Sequence, residues 1–359
     1  MTLFKVSYDK RVHACYEPIR HAVTSVSDWL FLTVRAPEVR FLRWKVSFPG
    51  MRQLLHIGTH VILGGRILLS GTRSVFVREF ITWPLLLAVP LWWWKRRRVV
   101  FLTNHNYQFA LHSVNQRFAL IALLRCGARL AALELSVQNT LRVPFYVRDL
   151  VIPFPINSSV PRRVERAIAS PKTRLRIGVL TSFRREQRAE ELIANLKQVV
   201  AACSEDWQLV VASHFHKPLH SIAGHGTELR PLTNDEDYWS ALVGFDVAVF
   251  YYDRSAYEYR TSGIVADAIA CGVPVICPNF PVLVRQVNWP APLGLVYETL
   301  SELPVLLAQI ADWPVGAIER ARFLHHRYRG QDAYAGLLEA IRAGADGNLC
   351  KTNSTSENQ

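Results

Sequence analysis

Apolar residues along this chain fall into short runs that alternate with stretches of helical spacing. The runs at 99–104, 129–135, 174–180 and 207–213 are rich in β-branched and aromatic residues, so they predict buried strands. A stretch with helical spacing, 108–126, separates the first two runs. Strand, helix and strand at this spacing predict a βαβ unit with a parallel sheet.

The second half of the chain repeats this alternation. Further strands are predicted at 228–233, 246–252, 273–278 and 293–298, and helices at 186–203, 234–244, 262–272, 301–311 and 316–343. We expect Asn234 to cap the start of one helix and Gly272 to end another. Repeated βα units in both halves predict an α/β fold of two Rossmann-like domains that face a cleft.

The domain boundary is expected in a segment rich in Pro and Ser. This segment, 150–163, is typical of an interdomain linker. We therefore predict a first domain over 1–160 and a second over 161–343, with the terminal helix packing back on the first domain as one option. The tail, 344–359, lacks apolar periodicity and is predicted to be disordered.

Charge is distributed unevenly between the two halves. The chain has 359 residues and a net charge of +13. Residues 1–160 hold 21 Lys and Arg against 7 Asp and Glu, a net of +14, whereas residues 161–359 hold 21 against 22, a net of −1. A basic chain suits nucleic acid, an anionic membrane or a phosphate-bearing substrate. The asymmetry favours a first domain that faces an acidic surface over a nucleic-acid coat.

One apolar segment in the first half has the chemistry of a membrane interface. Residues 81–94 are too few for a spanning helix, which needs about 20 apolar residues. Tryptophan prefers the headgroup level, and cations beside it attract anionic lipid. The predicted membrane residues are Trp92, Trp93, Trp94, Lys95, Arg96, Arg97 and Arg98. The alternative is a buried helix followed by a solvated charge run.

Cysteine usage and the polar N-terminal sequence favour a reducing compartment. The six cysteines are scattered, with no C-x-x-C pair and no spacing typical of zinc, so we expect reduced thiols. The first residues are polar and charged, unlike a secretory signal. We therefore expect a cytoplasmic protein.

The segment 257–278 carries the most chemical information. It predicts a polar loop, a helix that begins near Ser262 and Gly263, and then a strand. A glycine at a helix N-terminus lets an anionic ligand approach the free backbone N–H groups. Asp267, four residues into the helix, is expected to accept hydrogen bonds from ribose hydroxyls.

This segment, YEYRTSGIVADAIACGVPVICP, resembles the nucleotide-sugar signature of GT-B glycosyltransferases. The nearest pattern is that of the large bacterial group 1, or family 4-like, enzymes, E-G-x-x-x-x-x-x-E-A-x-A-x-G-x-P-V. RIGVLTSFRREQRAEELIANL and ELRPLTNDEDYWSALVGFDVAVFYYD resemble the first strand and helix of their donor domain and its base-binding region. The resemblance covers about 99–342 and implies a UDP-sugar or GDP-sugar donor, with no bound cofactor.

The resemblance also implies roles for individual residues. The donor-binding residues would be Ser182, Arg184, Arg185, Arg188, Leu232, Tyr259, Arg260, Thr261, Ser262, Gly263 and Asp267, and the catalytic residues Asn104, His105 and Glu258. His105 follows a predicted strand and would act as a base or contact the donor sugar, unless it only satisfies loop backbone. Two positions depart from the pattern, because Asp267 replaces its second Glu and Tyr259 its first, with Glu258 one place away.

Two groups of histidines are not assigned to the reaction. His214, His216, His220 and His225 lie close in sequence, but the resemblance implies no metal, since basic residues and a helix dipole neutralise the diphosphate in this family. His325 and His326 are expected on a surface helix.

Charge and resemblance together favour transfer of a sugar to a lipid-linked acceptor in polysaccharide or glycolipid synthesis, at the inner face of the cell membrane. The alternative is a catalytically inactive, GT-B-like, membrane-associated binding or scaffold protein, which the departures at Tyr259 and Asp267 motivate. Nucleic-acid binding would need a basic stripe with interleaved aromatic residues, and the basic run of this chain is too local.

Overall fold

The structure is a computed structural model that describes part of the 359-residue chain. It describes residues 29–33, 74–78, 98–103, 106–126, 129–134, 149–157, 159–161, 175–202, 207–213, 226–330 and 334. These residues divide into two compact units. One contains the described residues up to Ile152, and the other contains those from Pro153 to Tyr334.

The first unit is built on a five-stranded parallel sheet. Its strands are β1 Trp29–Thr33, β2 Ser74–Arg78, β3 Arg98–Thr103, β4 Arg129–Leu133 and β5 Asp149–Ile152, and they lie side by side in chain order. The predicted βαβ unit is confirmed, since β3 pairs with β4 in parallel and helices lie between them in the chain.

The helical stretch between β3 and β4 is two helices rather than one. Helix α1 covers Asn106–His112 and α2 covers Val114–Arg125. Ser113 leaves the helical conformation, with φ −132° and ψ 116°, and its side chain accepts a hydrogen bond from the N–H of Gln116. A serine in this role is a typical helix N-cap, so the helix restarts there.

The second unit is built on a six-stranded parallel sheet. Its strands are β6 Leu175–Thr181, β7 Trp207–Ser213, β8 Thr227–Pro231, β9 Val247–Val249, β10 Val275–Pro278 and β11 Gly294–Tyr297. They are arranged in the order β11-β10-β9-β6-β7-β8. The direction of winding therefore reverses between β6 and β9, which opens a crevice at the carboxyl ends of these two strands.

The helices of the second unit largely follow the sequence pattern. They are α3 Ala189–Ala202, α4 Asp235–Val243, α5 Arg254–Tyr257, α6 Gly263–Cys271, α7 Pro281–Asn288, α8 Leu303–Ala311 and α9 Val315–Arg329. Both predicted caps are confirmed, because the Asn234 side chain accepts from the N–H of Asp237 at 2.8 Å and Gly272 is left-handed at φ 78°. Helix α5 was not predicted because it is a single turn. Helix α7 was not predicted because its N-cap residue, Phe280, has no capping side chain, although Pro281 suits the first position of a helix.

The core of the second unit lies between its sheet and the helices α3 and α8. Strand residues Ile177, Leu209 and Val247 are buried there against Leu196 and Leu307. Continuous apolar runs are typical of parallel strands, which are covered on both faces. This is why the strands of this unit could be located from sequence.

The predicted linker, 150–163, differs from the structure at its start. Its first residues form β5, and Pro153–Ile156 are buried. The N–H of Ile156 donates to the carbonyl of Arg329 at 3.1 Å, and the hydroxyl of Tyr334 donates to the carbonyl of Pro153 at 2.8 Å. These bonds join residues 153–156 to the second unit, although the sequence placed them in the first domain.

The buried face of helix α9 contains a histidine that was expected at the surface. Residues Ile318, Ala321, His325 and Arg329 form its buried stripe, so the surface position expected for His325 is wrong. The imidazole Nε2–H donates to the carbonyl of Ala291 at 2.9 Å. Burial, with Arg329 close by, lowers the pKa of His325 to about 3, so the side chain is neutral. His326 is half-buried and bonds the carbonyl of Ala270.

Other features bear on the remaining expectations. Within the described ranges, no helix combines the length and apolar character that crossing a membrane requires. Cys271 and Cys277 are buried free thiols whose pKa values are raised by burial, and Cys126 is a half-buried free thiol. The tail, 344–359, lies outside the described residues.

Candidate functional site

Two loops meet where the second sheet reverses its winding. The loop 182–188 follows β6, and the loop 250–262 follows β9. The N–H of Asp253 in the second loop donates to the carbonyl of Glu186 in the first at 2.9 Å. The structure therefore brings two groups of predicted donor-binding residues to one edge of the sheet.

The loop after β6 has a shape fixed by Gln187. The side-chain oxygen of this residue accepts from the hydroxyl of Thr181 at 3.1 Å and from the N–H and hydroxyl of Ser182, each at 3.0 Å. Phe183 and Arg188 are left-handed, at φ 51° and φ 41°. Such conformations cost free energy in residues other than glycine and persist where the surroundings enforce them.

The three predicted arginines of this loop differ in their surroundings. Arg184 is exposed, whereas Arg188 forms an ion pair with Glu191 and donates to the hydroxyl of Tyr251 at 3.2 Å. Arg185 lies in a short 3-10 turn, and its side chain is outside the described part. The charge of Arg188 is therefore balanced by a carboxylate, and the side chain of Arg184 is open to solvent.

The N-terminus of α6 is held by two buried polar side chains. Gln286 is fully buried, and its amide accepts from the N–H of Ser262 at 3.1 Å and donates to the carbonyl of Ser262 at 2.8 Å. The hydroxyl of Tyr252 lies 2.8 Å from the Ser262 hydroxyl, which also accepts from the N–H of Val265. Ser262 is therefore fully used in positioning the helix.

The space in front of this helix is open. A Cβ added at Gly263 would meet no atom within 4 Å. The first N–H groups of a helix have no partner within the helix, and its dipole makes this end positive. The N–H groups of Gly263 and Ile264 are therefore placed to receive an anion, as the sequence pattern predicts.

An aromatic stack supports Arg260 beside this helix. The rings of Tyr252 and Tyr257 are stacked at 4.2 Å, and the Arg260 guanidinium lies 4.5 Å from the centre of the Tyr257 ring. Burial raises the pKa of Tyr252 well above its usual value, so its hydroxyl stays protonated. Within the described residues, Arg260 pairs with no carboxylate, and its buried Nε has no hydrogen-bond partner. Its charge is thus available to an anionic ligand.

The predicted ribose-binding carboxylate is anchored from a neighbouring helix. Tyr238, on α4, donates its hydroxyl hydrogen bond to Asp267 at 2.6 Å. Leu232, which follows β8, has a buried side chain, and its N–H donates to the carbonyl of Ser213 at 2.8 Å. Any contact between Leu232 and a ligand is therefore made by its backbone.

The remaining predicted residues of the second loop lie just before α6. Glu258 accepts from Arg254 at 3.2 Å, and Arg254 also lies 3.6 Å from Glu298. Tyr259 is half-buried and Thr261 is buried. The carboxylate that the sequence assigned to catalysis is thus ion-paired in the structure.

Several predicted residues lie outside the described part. These are Asn104, His105, Trp92, Trp93, Trp94, Lys95, Arg96 and Arg97, while Arg98 begins β3. The histidines between 214 and 225 are also outside it. In the described ranges, no three His, Cys, Asp or Glu side chains form a group that could hold a metal ion.

Sequence reasoning missed four residues that shape the site: Gln187, Tyr238, Tyr252 and Gln286. A signal for Gln286 exists, because its amide lies among apolar residues in PVLVRQVN, and a buried amide needs hydrogen-bond partners. Tyr252 ends an apolar run in the same way. Neither pattern identifies Ser262 as the shared partner.

Comparison with known proteins identifies the fold. No family model and no curated protein matches this chain. Trehalose-6-phosphate synthase from Burkholderia multivorans matches with a TM-score of 0.60 at 9% identity, over 87% of this chain and 78% of that one. Sucrose-phosphate synthase from Thermosynechococcus elongatus matches with a TM-score of 0.57 at 15% identity, over 82% and 78%.

A third similar structure was solved with a nucleotide. HepE from Anabaena in complex with UDP matches with a TM-score of 0.60 at 12% identity, over 83% of this chain and 85% of that one, and it was also solved with UDP-glucose. These structures are GT-B glycosyltransferases. The chain shares their fold, so the predicted α/β GT-B class and the resemblance are confirmed at the level of fold.

Proposed function

We propose that this chain is a glycosyltransferase that moves a sugar from a nucleoside-diphosphate sugar to a lipid-linked acceptor. The observation that carries the donor part is Arg260, a cation without a carboxylate partner among the described residues, beside the open N-terminus of α6. Ligands of parallel α/β sheets bind where the winding reverses, and these groups lie at that edge. A similar structure that contains UDP-glucose supports the same class of donor.

The chemical task of such a site is to stabilise the leaving group. When the bond between the sugar and the diphosphate breaks, the diphosphate gains negative charge. Arg184, Arg260 and the N–H groups of Gly263 and Ile264 would stabilise this charge without rearrangement, because the loops hold them in place. Asp267, anchored by Tyr238, would accept hydrogen bonds from ribose hydroxyls.

The acceptor hydroxyl must lose a proton as its oxygen bonds to the sugar. We propose His105 as the base that takes this proton, with Asn104 beside it, because a neutral imidazole suits this role near pH 7. Glu258 remains a second candidate, although its ion pair with Arg254 would have to open first.

The acceptor and the location are proposed from the first half of the chain. Its net charge of +14 and the Trp92–Arg98 segment favour contact with anionic lipid. We therefore place the enzyme in the cytoplasm, peripherally on the inner face of the cell membrane, in polysaccharide or glycolipid synthesis. A lipid-linked sugar acceptor would be reached from that position.

The donor part is tested by nucleotide binding. Purified protein is titrated with UDP-sugars and GDP-sugars, using the rise in thermal stability that a ligand of the native state causes. The variants Arg260→Gln and Arg184→Gln should each weaken binding by roughly tenfold, since each removes a charge-assisted hydrogen bond. Arg320→Gln, an exposed arginine on α9, is the matched control.

The outcomes of these experiments distinguish a glycosyltransferase from an inactive binding protein. Unchanged affinity in both loop variants would show that the assigned site is wrong. Turnover of a donor with membrane lipid extract would support transfer, and its loss in Asp267→Ala would support the site. Tight nucleotide binding without turnover of any donor and acceptor would instead support an inactive binding protein.

A further inference from the structure

Helix α2 has apolar residues on two opposite faces. One face is buried and consists of Ala119, Leu120 and Leu123. On the other face, Val114 and Phe118 lie one turn apart and are 79% and 69% exposed, and Phe109 of α1 is 58% exposed. The buried face accounts for the packing of the helix in its unit. The packing of the helix in its unit therefore does not explain the exposed apolar face.

Cations lie on the same side of the helix as these apolar side chains. At 100° per residue, Arg125 projects about 20° from both Val114 and Phe118, and Arg117 projects about 60° from Val114 and about 100° from Phe118. Both arginines are exposed. The guanidinium of Arg117 donates to the carbonyls of Ala110 and Leu111 at 3.0 Å and 2.8 Å, which ties α1 to α2. Arg117 forms no ion pair with a carboxylate of the described residues.

The surrounding sequence has cations and lacks acids. Residues 80–133 contain seven Lys and Arg and no Asp or Glu, although the chain as a whole has 29 acidic residues. Protein interfaces normally pair charges of both signs. A nucleic acid can stack its bases on aromatic rings, but it offers no apolar layer to an exposed aliphatic side chain such as Val114. A bilayer surface with anionic headgroups offers both an apolar layer and negative charge.

We propose that this face, defined by Phe109, Val114, Arg117, Phe118 and Arg125, docks on an anionic lipid bilayer. The apolar side chains enter the boundary between headgroups and acyl chains, and the arginines lie at the level of the phosphates. The proposal rests on the membrane location proposed above and does not depend on the donor chemistry. It adds a described surface to the Trp92–Arg98 segment.

The test is sedimentation of the full chain with phosphatidylcholine vesicles that contain or lack phosphatidylglycerol. Phe118→Ser and Val114→Ser should each weaken binding to the anionic vesicles several-fold, up to about tenfold for the phenylalanine. Phe323→Ser and Val305→Ser, at side chains 62% and 61% exposed in the second unit, are matched controls and should bind as the wild type does. Thermal midpoints of all four variants check that each remains folded.

Three results would overturn the proposal. Wild-type binding by both α2 variants would show that this face does not contact lipid. Self-association in the absence of lipid that Phe118→Ser abolishes would identify a protein interface instead. Failure of the wild type to bind anionic vesicles, with nucleotide-sugar binding intact, would remove the membrane location while leaving the donor chemistry in place. If the wild type bound anionic vesicles but no nucleotide sugar, only the proposed reaction would be contradicted.

Discussion

Both sheets of this protein are parallel, but only the second shows where a ligand would bind. In the second sheet the strand order reverses between β6 and β9, and the loops that follow these strands are joined by a hydrogen bond. In the first sheet the strands β1 to β5 lie in chain order, so the described strands contain no reversal. Topology therefore locates a candidate site in one unit and not in the described part of the other.

Charge follows the opposite distribution. The half of the chain that carries the net charge of +14 contains the first sheet, and the half with the candidate site is almost neutral. In the second half, the arginines proposed for ligand binding, Arg184 and Arg260, lie in the two loops at the reversal of the sheet. Under the proposed function, the excess charge would bear on where the protein docks, whereas catalysis would depend on a few cations held in fixed positions.

The largest expected effect tests the packing at the reversal. Gly178 lies in β6 between Val210 and Ala248 of the flanking strands, and an added Cβ would come within 2.1 Å of the Phe245 ring. Gly178→Ala should therefore lower the free energy of unfolding by about 3 kcal/mol, measured by urea denaturation.

The matched control for this prediction is Gly316→Ala. Gly316 lies in the first turn of α9, and an added Cβ there meets no atom within 4 Å. This variant should be neutral, or more stable by up to ~1 kcal/mol, because alanine favours helix. A small effect at Gly178 would contradict the tight packing between β6 and Phe245, which lies between α4 and β9.

A smaller effect is expected at Gln286, which holds the N-terminus of α6 in place. Gln286→Leu leaves the N–H and carbonyl of Ser262 without the partners they have in the structure, and should cost about 2 kcal/mol of stability. Nucleotide-sugar affinity should fall as well, because the first turn of α6 loses its support. Gln286→Glu keeps the acceptor for the Ser262 N–H but loses the donor to the Ser262 carbonyl, and a charge at this fully buried position is unfavourable, so it should also bind more weakly than the wild type. Equal affinity in all three proteins would contradict the role of Gln286 in positioning.

Acid should lower the stability of the second unit through one residue, His325. The pKa of His325 is about 3 in the folded protein, below its usual value of 6.5, so the unfolded chain binds more protons between these values. His325 therefore favours folding above pH 6.5, and this contribution is lost as the pH falls towards 3, by up to about 1.4 kcal/mol per pH unit. Urea unfolding at several pH values should show a flatter dependence in His325→Gln. The same slope in both proteins would contradict a buried neutral imidazole.

The smallest expected change in stability accompanies a change in ligand binding. Gly263→Ala places a methyl group in the open space before α6, so stability should change by no more than about 0.5 kcal/mol. The methyl group would, however, hinder an anion that approaches the N–H groups. Calorimetry with UDP-sugars and GDP-sugars should show weaker binding in this variant. Unchanged affinity would remove the helix N-terminus from the proposed site.

The sequence predicted most of the second sheet because its strands are continuous apolar runs. Strand β9 is an instructive exception, since it ends at Val249 rather than at Tyr252. The aromatic residues after it resemble strand residues in composition, but Tyr252 leaves the sheet and stacks on Tyr257. Strand β5 was missed because Pro and Ser residues just beyond it dominate the pattern.

The candidate site was predicted where its signal is local. The helix N-terminus at Ser262 and Gly263 and the capping roles of Asn234 and Gly272 follow from neighbouring residues. The pairing of Gln286 with Ser262 was not predicted, because 24 residues separate the two and only the fold brings them together. The ion pair of Glu258 with Arg254 depends on a one-turn helix that has no periodicity to detect.

The link between residues 153–156 and the end of α9 decides how this protein can be divided. Ile156 and Phe154 are hydrogen-bonded to Arg329, and Pro153 to Tyr334. A recombinant fragment that started at residue 161 would expose the buried surface that Phe154 and Ile156 cover, and would leave the Arg329 guanidinium with fewer acceptors. A piece for separate expression should therefore start at Pro153 and retain Tyr334. If a protease cut the chain between residues 156 and 175, these hydrogen bonds should keep residues 153–156 bound to the rest of the second unit.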